Sequence, residues 1–294
     1  MAKYEEKDIP FFNNYLKDSK ILLITATKIE KEILHNHIKP IKDQESIIQI
    51  SKGKQTYYLG AFGKYNVVHV ACGDMGSIGR ESSLVTTSEA IRDCNPEMVL
   101  MLGIAFGANK KEQSIGDVLV SERVIPYEPQ RVGKEKTINR GKEGPASSML
   151  LNKFRNMNSW MHIIKDRQAE VIVGNILSGE KLIDNINLKE ELLDRYKTVI
   201  GGEMEGAGLY AACDGHVNHW ILVKAICDFA DGNKARNKEK NQRVAAESAI
   251  SLCEAVFSQK HVFEDFGIYR FDRDIELTEK LFQLIRKQIF DENK

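Results

Sequence analysis

The run ILVKAICDFADGN, residues 221–233, decides how this chain folds. Its first half is continuously apolar rather than alternating, the pattern of a strand covered on both faces. Lys224 sits inside that run, and a lysine there needs an anionic partner. Asp228 emerges at the C-terminal end of the same strand, where open α/β sheets place their ligands. Asp231-Gly232 then supplies a turn. Working outward, short apolar runs at 21–26, 55–61, 67–72, 98–102, 117–124, 171–177, 199–203 and 219–226 predict strands. Segments at 28–38, 77–93, 148–157, 204–213 and 238–258 predict helices between or after them. Alternation of this kind is the sequence form of an α/β sheet protein.

Composition sets the bounds. A chain of 294 residues with 42% hydrophobic and 29% charged residues can bury a substantial core. Lys+Arg and Asp+Glu balance at 42 each, which removes the whole-protein electrostatic argument for nucleic acid or an anionic membrane as partner. The start, MAKYEEKDIP, is charged and lacks the apolar region of a signal peptide. The longest apolar runs, such as MVLMLGIAF at 98–106, are too short to span a bilayer. Five scattered cysteines with no CxxC pair read as reduced thiols of a cytoplasmic protein. Cys213, His216 and His219 have metal-like spacing, but Gly215 is placed to end the preceding helix, so the three side chains are not expected to share a face. His35 and His37 point to different sides of their helix and are expected to be solvated. Residues 126–147, rich in Pro, Gly and Lys, are expected to form a long loop. Leu277, Leu281, Leu284 and Ile285 lie at helical spacing in a terminal helix at 274–290, which either packs on its own domain or meets a partner.

Chemistry concentrates in GGEMEGAGLYAAC, residues 201–213. Glu203 and Glu205, two apart at the end of a strand, project to the same side. Paired carboxylates there are costly unless each has a partner, and a sugar diol is one, because each carboxylate oxygen can accept a hydroxyl proton. Acids favouring the positive end of the following helix are the plainer alternative. Either glutamate could also neutralise Lys224. Glu30, in TKIEKE, falls in the first turn of a helix just past a strand end, as a dipole-stabilised acid or as a base facing the same crevice. Glycines recur in CGDMGSIGRES (72–82) and LGIAFG (102–107), but neither is GxGxxG and no GxxxxGK[ST] is present.

Read together, ITATKIEKE, GDMGSIGRES, NPEMVLMLGIAFG, IGDVLVSERVIPYE, GNILSGEKLI, GGEMEGAG and KAICDFADG resemble the nucleoside phosphorylase/nucleosidase superfamily. The likeness is greater to the methylthioadenosine/S-adenosylhomocysteine nucleosidase branch, and greater again to nucleosidase-like effectors of bacterial defence systems. The resemblance implies a three-layer α/β/α fold around a twisted mixed sheet. It makes residues 1–260 the catalytic domain, with 1–19 a short extension and 261–294 a second one. Asp228 matches the acid that protonates the purine's imidazole nitrogen, and Glu30 the acid that positions and deprotonates the attacking water. Glu205 matches the carboxylate on the ribose 2′- and 3′-hydroxyls, and Met204 the residue packed on sugar and base. Ile183 falls where family backbone reads the base edge, with Leu182 near the stacking position. Glu203, Ala105, Phe106 and Met75 complete the implied substrate contacts. No metal or cofactor is implied. A homodimer or larger homo-oligomer is implied, with a protein partner in a defence system also in view.

The chemistry fits these residue types. Cleaving a ribose–purine bond builds oxocarbenium character on the sugar and negative charge on the base. A neutral carboxyl can protonate the base, and a second acid can activate water. Phosphorolysis instead needs cations around phosphate. Met101 stands where many bacterial phosphorylases carry arginine, and Arg80 is the remaining candidate, so hydrolysis is favoured. A sensor that binds without turnover has no need of both an acid and a base. Departures stand at Phe106 and Ile104, where nucleosidases carry glycine and serine, and at Cys227 for serine. After Asp231 the chain reads GNKARNKEKNQR, where methylthioadenosine enzymes are apolar, and a basic segment there points to a 5′-hydroxyl or 5′-phosphate.

Overall fold

The computed structural model describes residues 2–134, 137–233 and 237–272. Strands are β1 (Tyr4–Glu6), β2 (Ile21–Thr25), β3 (Ile47–Lys52), β4 (Gln55–Phe62), β5 (Tyr65–Ala71), β6 (Met98–Gly107), β7 (Val118–Pro126), β8 (Gln130–Val132), β9 (Thr137–Asn139), β10 (Gly144–Pro145), β11 (Ile163–Ile164), β12 (Arg167–Gln168), β13 (Val171–Ser178), β14 (Val199–Glu203) and β15 (His219–Asp228). Helices are α1 (Ile9–Tyr15), α2 (Lys28–His37), α3 (Ser83–Cys94), α4 (Ser148–Arg155), α5 (Ile186–Arg195), α6 (Gly206–Cys213) and α7 (Lys238–Phe257).

One mixed sheet runs β1-β3-β4-β5-β2-β6-β14-β13-β7-β10, and β15 pairs with both β6 and β7. That double pairing closes β6, β14, β13, β7 and β15 into a ring. The closure between β6 and β14 is short and lies at their C-terminal ends, with Gly201 opposite Gly107 and Gly202 opposite Phe106. Glycine is required there: a Cβ on Gly201 would sit 2.4 Å from the Phe106 carbonyl oxygen, and one on Gly202 2.5 Å from the Phe106 ring. Close approach of the two strands brings their last residues to one place.

Alternate side chains of the central strands feed two apolar clusters. Ile21, Leu23, Met98, Leu100, Leu102, Ile221 and Val223 pack with Leu34 of α2, Phe154 of α4 and Ile250 of α7. Leu22, Ile24, Val99, Met101 and Leu222 pack with Phe12 of α1, Ala90 of α3 and Leu209 of α6. Residues 2–19, set apart above as an extension, add β1 to the sheet edge through β3 and bury Phe12 and Tyr15. Phe263 and Phe266 likewise fold back into the first cluster. No helix of the described residues is long and apolar enough to cross a membrane.

Several expectations change. The helix expected over 77–93 starts only at Ser83, because Gly76 and Gly79, at φ +96° and +147°, keep the preceding segment a loop. The helix expected over 204–213 starts at Gly206, and the strand expected over 98–102 continues to Gly107. Residues 126–147 are not a plain loop: β8 and β9 form a hairpin, and β10 pairs with β7. The terminal helix expected over 274–290 lies outside the described residues. The two histidines of α2 are not solvated. His35 is buried, with Nδ1 2.8 Å from the Tyr4 hydroxyl and Nε2 2.9 Å from His69 Nδ1. His37 bridges Glu254 at 2.7 Å and Glu247 at 2.9 Å, tying α2 to α7.

Those carboxylates, led by the Glu247 hydrogen bond, push the His37 imidazole up to about 9, against burial. A group raised on folding adds stability that is whole below its unfolded pKa and fades as pH rises through its folded one. His37→Gln should therefore cost on the order of 1–2 kcal/mol below pH about 6.5, shrinking to nothing above pH about 9. Urea titrations of both proteins across that range read the difference, and a constant gap would contradict it.

Candidate active site

Lys224 is fully buried near the middle of β15. Its Nζ lies 3.1 Å from Glu205 Oε2 and 3.6 Å from Glu203 Oε2. Glu30 closes the group from the other side. A Cβ on Gly103 would fall 2.0 Å from Glu30 Oε1 and 3.1 Å from Lys224 Nζ, so the two side chains meet over a glycine. Burial works against the ammonium, but the carboxylates of Glu205, Glu30 and Glu203 outweigh it and hold the lysine above its usual range. Burial also raises Glu30 and Glu203; Lys224 opposes the shift, and Glu205 adds to it.

Each carboxylate is fixed by backbone. Thr27 and Glu30 form a capping box at the start of α2: Thr27 Oγ1 accepts from the Glu30 N–H at 3.2 Å, and Glu30 Oε2 accepts from the Thr27 N–H at 2.7 Å. The Ala26 N–H also reaches Oε2 at 2.9 Å, and the Ile104 N–H reaches Oε1 at 2.8 Å. Glu30 is thus both the first-turn acid and a residue facing the crevice. Of the 203/205 pair, Glu203 plays the helix-starting part, accepting from the N–H groups of Glu205 and Gly206 at 2.9–3.0 Å. Glu205 turns to Lys224, and its Oε1 accepts from the Gly76 N–H at 3.2 Å. Ser83 Oγ donates to the Glu205 carbonyl at 2.7 Å, and Ser77 Oγ to that of Met204 at 3.0 Å, docking the glycine loop against the same turn.

Asp228 ends β15 opposite Phe106. Its Oδ1 accepts from the Ala230 N–H at 2.9 Å and its Oδ2 from the Cys227 thiol at 3.3 Å. Asp228, Glu30, Glu203, Met204 and Glu205 line one cavity with Ala105, Phe106, Leu182, Ile183 and Met75. The cavity encloses about 680 Å³, open mouth included. All ten residues singled out in the sequence are thereby brought together. Six lining residues were missed there: Thr27, Tyr127, Lys181, Gly202, Lys238 and Gln242. All six stand inside segments already quoted, Thr27 in ITATKIEKE, Tyr127 in IGDVLVSERVIPYE, Lys181 in GNILSGEKLI, Gly202 in GGEMEGAG, and Lys238 and Gln242 in GNKARNKEKNQR, but none was singled out there. Arg80 is exposed and does not line the cavity. Cys213 is buried in the core and His219 contacts Ser147; among the described residues no group of His, Cys, Asp or Glu is arranged to hold a metal ion.

Removing one partner from a buried ionic group strands the others. Lys224→Met should destabilise the fold by about 3–5 kcal/mol, more than a Leu222→Ile exchange on the same strand, by urea titration. A loss below about 1 kcal/mol would mean that the carboxylates do not depend on it.

Known proteins are similar to this chain over most of its length. The chain is 31% identical over 250 residues to a death domain-containing ATP nucleosidase of Amphimedon queenslandica. That match covers 76% of this chain and 45% of the relative, so the chain spans less than half of that protein's length. It is 23% identical over 241 residues to the 5′-methylthioadenosine/S-adenosylhomocysteine nucleosidase of Staphylococcus aureus, covering 81% and 98% of the two chains. The Neisseria meningitidis nucleosidase of that name, solved with methylthio-immucillin-A, has the same fold, with a TM-score of 0.67 at 18% identity over 82% of this chain and 99% of the other. The model of the phosphorylase superfamily matches residues 20–258, a span that holds every residue lining the cavity, and the chain belongs to that superfamily.

Proposed function

We propose that this protein hydrolyses the N-glycosidic bond of a purine nucleoside or nucleotide, releasing free base and ribose or ribose phosphate. The observation that carries the reading is the meeting of Asp228, Glu30 and Glu205 around one cavity. Asp228 protonates the purine's imidazole nitrogen as the bond to the base breaks. Glu205 accepts the ribose 2′- and 3′-hydroxyls, and Met204 packs on the sugar. Glu30 orients a water against the anomeric carbon and takes its proton. Phe106, Ala105, Leu182 and Ile183 form the apolar walls for the base, while Glu203 keeps Glu205 and Lys224 in register.

Water rather than phosphate is the acceptor in this reading. Lys224 is the buried cation of the site, and Glu205 and Glu203 already engage it. A phosphate would meet carboxylates instead. A nucleotide suits the rim better than an alkylthio nucleoside, because Lys181, Lys238 and Gln242 line it where an apolar cover would be needed. The relative named as an ATP nucleosidase supports the same substrate class.

We further read the helices over the two apolar clusters as the outer layers of a three-layer α/β/α fold, with residues 1–260 as its catalytic unit. A cytoplasmic homodimer in a defence setting completes the reading. The exposed Met75 and Leu182 at the rim favour a subunit contact there, and the defence setting rests on the motif resemblance.

Incubation with AMP, ATP, adenosine and methylthioadenosine should release free base, faster from the nucleotides, at a rate independent of added phosphate. Asp228→Asn should lower kcat by about 10²–10⁴-fold without unfolding the protein. Ribose 1-phosphate as product, or preference for methylthioadenosine, would overturn the assignment. Glu30 acts as base only when ionised. Since burial raises its pKa, kcat/KM should fall with decreasing pH while still above the ordinary carboxylate range.

A further inference from the structure

Glu180 follows β13 and is not among the residues that line the cavity. Its carboxylate reaches across to the glycine loop at 73–82 instead. Oε1 accepts from the Ser77 N–H at 3.0 Å. Oε2 accepts from the N–H groups of Ser77 at 3.1 Å and Ile78 at 3.3 Å. Successive backbone N–H groups turned to one point form a cradle for an anion, and here a side chain of the same chain fills it. The neighbouring Lys181 pairs with Glu128 at 3.2 Å rather than with Glu180. Glu128 Oε2 also accepts from the Glu180 N–H at 3.0 Å, which fixes the backbone that carries the carboxylate.

The loop is closed at its base. The N–H groups of Gly73 and Asp74 reach the Glu81 carbonyl at 3.0 and 3.2 Å, and that of Ser83 reaches the Gly76 carbonyl at 3.0 Å. Gly76, at φ +96°, lies directly against the acid: a Cβ there would fall 2.6 Å from Glu180 Oε2. The N–H of the same glycine donates to Glu205 Oε1 at 3.2 Å, while Glu205 Oε2 is held by Lys224 at 3.1 Å. Two carboxylates thus grip three consecutive N–H groups, Glu205 the first and Glu180 the next two. Bonds from N–H to an ionised acceptor are the stronger kind. Without the Gly76 bond, Glu205 would keep its lysine but lose the contact that fixes its plane, and with it the direction of the lone pairs offered to a diol.

We propose that Glu180 is a positioning residue for sugar recognition: its carboxylate fills the Ser77–Ile78 cradle and so holds the Gly76 N–H on Glu205. This rests on the reading of Glu205 as the ribose carboxylate, but not on turnover. The test is calorimetric binding of formycin A, an uncleavable purine C-nucleoside, and of its 2′,3′-dideoxy counterpart. Wild type, Glu180→Ala and Glu180→Gln are compared. Alanine should weaken formycin A about 10-fold and leave the dideoxy ligand within about twofold, since without a diol Glu205 has nothing to grip. Glutamine, which keeps one acceptor oxygen without the charge, should fall between, and it carries the test if the alanine variant does not fold. Added formate should restore the alanine variant by entering the emptied cradle, a rescue that a general loss of packing would not show. Amide hydrogen exchange at Gly76, Ser77 and Ile78 should rise about 10-fold or more in that variant and fall again with formate. Equal losses for the two ligands, or exchange unchanged by the substitution, would overturn the proposal. A wild type that binds neither ligand would sink the purine reading, and the exchange rates would still decide whether Glu180 holds the loop.

Discussion

A fully buried ammonium surrounded by carboxylates is the constraint on which the rest of this structure depends. Lys224 comes from β15, Glu203 from β14, Glu205 from the turn into α6 and Glu30 from α2. None of these charges is tolerable alone in so dry a place, and together they tie segments nearly 200 residues apart in sequence to one point. Three carboxyl groups face one lysine, and burial raises two of them, Glu30 and Glu203. Burial first, and Glu205 with it, hold Glu30 above its ordinary range even though three backbone N–H groups and Lys224 favour its ionised form.

Backbone geometry makes room for that cluster. The strands carrying the acids meet because Gly201, Gly202 and Gly103 let chain and side chain pass at distances that any Cβ would forbid. Ring closure by β15 then sets Asp228 beside Phe106 and across from the 203–205 turn. The rigid scaffold delivers the charges, while the rim is made of loops, at Met75 and at Lys181–Ile183. The acids are thus held by strand ends and helix starts, and the rim by loops.

Much of this was legible in the sequence because it was written in short-range patterns. A lysine inside ILVKAIC has to be neutralised, and its partners are the glutamates of GGEMEGAG that the same reasoning pointed to. Continuous apolar runs located the central strands to within a few residues, although β6 extends five residues beyond its expected end. The misses have physical reasons. Gly76 and Gly79 hold positive φ that a pattern of apolar spacing cannot register, so α3 was started too early. His35 was expected in water because it and His37, two apart, point to different sides of their helix; β1, unseen there, brings Tyr4 across to cover it. Tyr127 lies in the quoted IGDVLVSERVIPYE, but no charge or spacing in that segment marks it as part of the cavity lining. The hairpin within 126–147 escaped because its strands are only three residues each.

The central claim is that one acid faces the base while two others face the sugar and the water. A crystal structure with a hydrolysis-resistant purine C-nucleoside tests it most directly. The account requires the Asp228 carboxyl about 3 Å from the purine's imidazole nitrogen, Glu205 on both ribose hydroxyls, and a water held between Glu30 and the anomeric carbon. A ligand bound outside this cavity, or seated with its base against Glu30 and its sugar against Asp228, would contradict it.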